Sequence, residues 1–116
     1  MPHLQSLLSA GHAELNAQID SYWSQTLTAA ITLDVTFPNV TGFDPGASAR
    51  NVTLDAVTRA KGVTRRIINR AAGAVNLVVL NAAGDTIGTI NQNEQGEFYC
   101  NGSTWVLICI TAIALA

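Results

Sequence analysis

The sequence predicts a mainly β fold: an antiparallel β-sandwich or jelly roll with one N-terminal α-helix. Three observations carry this reading. After residue 25 the chain runs through short alternating stretches rich in Val, Ile and Thr. Gly62, Gly73, Gly84, Gly96 and Gly102 separate those stretches, and glycine reaches the positive φ of tight turns without strain. Long helices do not alternate with the strands, as βαβ units would require. The 116 residues suit one globular unit. They divide into an N-terminal helical arm, 1–25, and a β-sandwich domain, 26–116.

The helix is expected over residues 3 to about 22. Leu4, Leu8, Gly11, Leu15, Ile19 and Tyr22 recur at spacings of three and four, with polar residues between them. From Thr26 to Phe37, "TLTAAITLDVTF" alternates and reads as one long half-buried strand, ended by Pro38. "PNVTGFDPGASA", with two prolines and two glycines, reads as a loop. Six strands follow: "RNVTLD", "TRRIINR", "AVNLVVL", "DTIGTI", "GEFYC" and "TWVLICI". "DAVTRA" admits a short helical turn, and "NAAGD" a hairpin loop. The last hairpin is expected to close on a two-residue Asn101-Gly102 turn. That register sets Phe98 opposite Trp105 and Cys100 opposite Ser103. Phe98 and Trp105 are then the core aromatics, and Cys100 and Cys109 stand too far apart to bridge.

Charge is sparse. Charged residues make up 12% of the chain, against about 25% in an average soluble domain. A surface so poor in charge suits contact with other protein. All six basic residues, Arg50, Arg59, Lys61, Arg65, Arg66 and Arg70, lie between 50 and 70, where Asp55 is the one acid. Two readings stand: a patch that docks on an acidic partner, and a solvated face with internal ion pairs. No aromatic residue is interleaved with these arginines, which argues against a nucleic-acid surface. The closing "ICITAIALA" is more apolar than one strand needs, and Ile110, Ile113 and Leu115 are placed to pack on a neighbour.

Little in the sequence suggests chemistry. His3 and His12 are nine residues apart on the expected helix and make no metal pair. No paired-ligand spacing, phosphate loop or nucleophile context occurs. Glu94 and Glu97 flank a loop, where a solvated hairpin edge accounts for both. No catalytic residue, cofactor or metal is therefore expected. The N-terminus lacks the basic and apolar regions of a signal peptide. The apolar tail is too short to span a bilayer.

"VTLDAVTRAKGVTRRIINRAAGAVNLVVLNAAGDTIG" followed by "GEFYCNGSTWVLI" resembles small tailed-bacteriophage virion proteins, most of all head decoration (cement) proteins. The likeness covers about residues 50 to 110. It rests on an Arg/Ile/Asn strand, a Gly-containing turn, a Val/Leu strand, "GDTI" and the "NG-x-x-W" hairpin. The resemblance implies a β-sandwich or jelly roll without enzymatic activity. It implies a homotrimer on the virion surface that binds between subunits of the major capsid protein. Nucleic acid, membrane and small-molecule substrate have no part in that role. A second role within the same resemblance is a tail-fibre or spike module that binds a host receptor or carbohydrate.

Overall fold

The computed structural model describes residues 22–113. The predicted helix over 3–22 therefore lies outside the described residues, apart from Tyr22. Tyr22 begins a strand, and so the last residues of the expected arm belong to the β body.

Among the described residues nine strands and one helical turn follow in order. They are β1 (Tyr22–Thr26), β2 (Ile31–Leu33), β3 (Val40–Asp44), β4 (Arg50–Leu54), α1 (Val57–Ala60), β5 (Thr64–Asn69), β6 (Leu77–Leu80), β7 (Thr86–Ile90), β8 (Glu94–Cys100) and β9 (Trp105–Ala112). A five-stranded sheet has the order β1-β3-β5-β8-β9, and a four-stranded sheet the order β2-β4-β6-β7.

The mainly β reading holds, but the expected antiparallel wiring does not. Up to β6 the chain crosses from one sheet to the other at every strand. Strands β1, β3 and β5 are parallel neighbours, as are β2, β4 and β6. The chain thus winds three times round a common core. Parallel pairing needs a crossover connection, and here the crossover is a strand of the opposite sheet. Only β5–β8, β6–β7 and β8–β9 are antiparallel.

The two predicted boundaries near the N-terminus also change. The single strand expected over 26–37 is two, because the chain turns between Thr26 and Ile31 to change sheets. The expected loop over 38–49 contains β3, which lies inside the five-stranded sheet. Gly42 explains why that strand tolerates glycine. The Tyr22 hydroxyl lies 1.5 Å from where a Gly42 Cβ would stand, so only a bare backbone lets the tyrosine lie across β3.

Both sheets contribute to one core. Leu33, Val52, Leu54, Leu77, Val79 and Ile90 from the four-stranded sheet meet Phe43, Ile67, Phe98 and Cys100 from the other. Burial of each large aliphatic or aromatic side chain here is worth about 1.5–3 kcal/mol. Two inward polar side chains bind the turns of the coil together. Asn69 donates to the carbonyls of Val75 (2.8 Å) and Ile90 (2.9 Å), while its own oxygen accepts from the Ala71 N–H. Trp105, 5% exposed, donates its indole N–H to the Asp55 carbonyl at 2.8 Å. Phe98 and Trp105 are core aromatics, as expected.

Candidate interaction surface

The basic segment is contiguous in sequence but not in space. Strand alternation sends successive β5 side chains to opposite faces. Arg65 points inward and is only 2% exposed. Its guanidinium donates to the carbonyls of Asp34, Phe37 and Pro38, clasping the connection that leaves β2. Burial lowers its pKa, and Asp34 and Asp55 counter that shift; an arginine stays charged nonetheless. The expectation that Arg65 meets a partner is therefore corrected: its hydrogen-bonding edge is spent inside the chain.

The other basic residues are exposed to different degrees and in different places. Arg66, on the outer face of β5, pairs with Glu97 of β8 at 2.7 Å. Arg70 donates to the Tyr22 hydroxyl and to Ser24 Oγ, with its guanidinium 6.0 Å from the Tyr22 ring centre. Arg59 pairs with Asp55 at 2.9 Å, one helical turn apart. Burial opposes the Asp55 charge, but the Ala56 N–H and the Arg59 guanidinium outweigh it and hold the carboxyl below its ordinary range. The Lys61 stem packs by Gly102, whose φ of +93° suits glycine. Arg50 is half-buried and donates to the Pro45 carbonyl. This arrangement favours internal pairing for Arg50, Arg59 and Arg65. Arg59, Lys61, Arg66 and Arg70 are the exposed cations, three of them with partners in the chain.

The closing hairpin differs from its predicted register. Cys100 stands opposite Trp105, so the loop holds four residues, Asn101 to Thr104. The Asn101 side-chain oxygen accepts from the backbone N–H groups of Ser103 and Thr104 and fixes this wider loop. A bulge follows: Phe98 faces Leu107 while Glu97 faces Cys109, and Ile108 is the extra residue. The thiols of Cys100, buried, and Cys109, half-buried, are both free.

The bulge produces an exposed apolar edge that the sequence reading did not locate. Val106, Leu107 and Ile108 are 40%, 38% and 56% exposed, and Tyr99 of β8 is 38% exposed beside them. Strand β9 is the outermost of its sheet, so one side of its backbone has no strand partner among the described residues. Two of the residues expected to make the apolar contact, Ile110 and Ile113, are less exposed than these. Ile110 is half-buried, its tip near Gly88 of β7. Ile113 is half-buried and donates its N–H to Asn93, and Leu115 lies outside the described residues. One sequence signal did point here. From Phe98 to Ala116 there is no charged residue, whereas an edge strand that stays single is usually protected by charge.

Two shallow grooves flank this edge. One, of about 290 Å³, is lined by Val40, Arg66, Glu97 and Ile108 among others. The other, of about 280 Å³, lies between α1, the β6–β7 loop and the closing hairpin. Among the described residues, no three His, Cys, Asp or Glu side chains gather as a metal site would require. No described helix is long and apolar enough to cross a membrane. No protein-family model matches the chain, and no curated protein sequence matches it.

Proposed function

We propose that this is a non-catalytic structural protein of a tailed-bacteriophage virion, a decoration or cement protein that self-associates and binds the major capsid protein. In this reading two facing sheets form a sandwich-like body, copies assemble as a homotrimer on the capsid surface, and the trimer bridges capsid subunits. The observation that carries it is the open β9 edge. Three consecutive apolar side chains, Val106, Leu107 and Ile108, stand exposed there within a charge-free stretch. An uncovered edge of that composition is an aggregation hazard, and a neighbouring copy is its simplest cover. Lys61, Arg66 and Arg70 then orient the assembly on an acidic shell, a salt-sensitive contact that adds more to encounter than to affinity.

Sedimentation of the full chain tests the self-association. The native protein should be a multimer at micromolar concentration, and Ile108→Lys should be a folded monomer. A native monomer would sink the reading. Docking has its own test: Lys61→Gln with Arg66→Gln should weaken the salt dependence of particle binding and leave the multimer intact.

One observation favours the tail-fibre or spike reading. Exposed Tyr22 and Trp23 stand on β1, next to a polar groove lined by Ser24, Gln25, Thr26, Asp44 and Arg70. Aromatic faces beside hydrogen-bonding groups suit a sugar. Glycan binding that is lost in Trp23→Ala would favour this second role. Copy number per particle also separates the two, since hundreds of copies indicate the head and a handful the tail.

A further inference from the structure

Among the described residues four strands stand at sheet edges: β1 and β9 in the five-stranded sheet, β2 and β7 in the other. An edge that stays single is blunted by shortness, by charge or by cover. Strand β2 has three residues and runs into exposed Asp34. Strand β7 follows exposed Asp85, and its Gly88 lies close to the Phe98 ring and the Ile110 tip of the facing sheet. Strands β1 and β9 are longer and lack these devices. All five residues of β1 are exposed, and no charged residue occurs from Tyr22 to Leu33. Tyr22 and Trp23 stand there as exposed aromatics, as Val106, Leu107 and Ile108 stand on β9.

Symmetry limits how copies of the chain can cover β9. The backbone edge of a strand takes one partner strand. Pairing β9 with its own counterpart is isologous and twofold, and it closes at two copies. A ring of three needs each β9 edge to meet a different strand on the next copy. The wiring of the sheet supplies one. Strands β1, β3 and β5 are parallel, while β5 and β9 are each antiparallel to β8, so β9 runs the same way as β1. Under a threefold axis along the strands every copy points the same way. Strand β9 of one copy then meets β1 of the next as a parallel pair. That pairing repeats the β1–β3 and β3–β5 ladders already present within the chain.

We propose that the β9 edge is occupied by β1 of a second copy, added as a parallel strand. This rests on the self-association read from β9 and assigns the other half of that contact. Each copy offers β9 on one side of its five-stranded sheet and β1 on the other, so every contact in the ring is the same and no edge is left open. The exposed apolar residues of both strands are covered together, and Trp23 belongs to the contact between copies.

Sedimentation of two edge variants of the full chain, alone and mixed, tests the pairing. Ile108→Lys blocks β9 and Gln25→Lys blocks β1, since lysine on an edge strand opposes pairing. Gln25 is exposed, so its replacement leaves the core intact. Each variant alone should be a monomer at a concentration where the native chain sediments as three copies. Mixed in equal amounts, they should form a one-to-one dimer, because one keeps a free β1 and the other a free β9. If Gln25→Lys alone stays a multimer, β9 meets its own counterpart or clusters about the axis; the proposal then fails while self-association stands. A mixture that stays monomeric also overturns it. A native monomer is a separate failure, that of self-association itself, and is read before either variant. Should circular dichroism show Gln25→Lys unfolded, Thr26→Lys, exposed at the next position of β1, takes its place in the same comparison.

Discussion

Arg65→Met should destabilise the protein more than any other change in the basic segment. Its guanidinium donates to three carbonyls, those of Asp34, Phe37 and Pro38, from a position only 2% exposed. Hydrogen bonds to a charged group contribute about 1.5–3 kcal/mol each. Against that sum stands the cost of burying the guanidinium, several kcal/mol, which methionine avoids. Water also reaches Asp34 in the variant, since Asp34, Val35 and Thr36 are exposed. The net expected loss is about 3 kcal/mol. For a body of this size each kcal/mol lowers Tm by about 4–8 °C, so the shift should be about 12–24 °C. Arg65→Lys should lose nearly as much, because one ammonium cannot reproduce the planar fork that reaches three acceptors. Arg66→Gln is the control: its ion pair with Glu97 is half-exposed and should contribute within about 1 kcal/mol. Urea unfolding with an unchanged m-value, followed by circular dichroism, reads all three. If Arg65→Met loses less than about 1 kcal/mol, or no more than Arg66→Gln, the clasp does not hold the β2–β3 connection as argued.

Asp55 has its pKa lowered in the folded state, so its stabilisation should be complete above the unfolded-state value of about 4 and should fade as pH falls below it. The gap in stability between the native protein and Asp55→Asn, about 1–2 kcal/mol at neutral pH, should therefore close in acid; a gap independent of pH down to 2 would contradict the ion pair. Gly96→Ala should cost about 1–3 kcal/mol in the same unfolding assay, because its Cβ would stand 2.9 Å from the Phe98 ring and 3.0 Å from Ile90. A thiol reagent should modify Cys109 in the folded protein and Cys100 only after denaturation; finding no free thiol in the denatured, unreduced chain would overturn both the register and the unbridged assignment.

How much of this was legible in the sequence follows from where local chemistry decides structure. Strands β4 to β9 and the helical turn stand close to where alternation and turn residues put them, because Gly62, Gly84 and Gly102 take positive φ between apolar runs; Gly96, expected to separate two strands, instead lies buried inside β8, where a side chain would meet Phe98. β3 was hidden, since "VTGFD" lies between two prolines and has a glycine at its centre, and only the tyrosine lying over Gly42 reveals why. The break between β1 and β2 carries no glycine or proline, so the alternation runs straight through a change of sheet. Parallel winding left no period to detect, because its turns differ in length: Tyr22 stands beside Val40, but Val40 beside the more distant Arg66. The basic cluster misled for a simpler reason. Neighbouring arginines on a strand face opposite ways, so Arg65 became an internal clasp while Arg66 stayed outside. The exposed β9 edge needed the bulge, which depends on a partner strand and not on local composition.

The wiring also dictates an order of events as the protein forms. The β6–β7 and β8–β9 hairpins join strands that are adjacent in the chain, so closing them costs little loop entropy. Each parallel ladder of the coil instead joins segments separated by a whole winding. Such pairings are slow to form and gain little until a neighbouring turn is in place. The hairpins are therefore the natural nucleus. The remaining ladders follow, including the antiparallel β5–β8 pair, which joins segments as far apart in the chain as the parallel windings do. During synthesis the parallel strands of the coil emerge before the two hairpins expected to nucleate the fold.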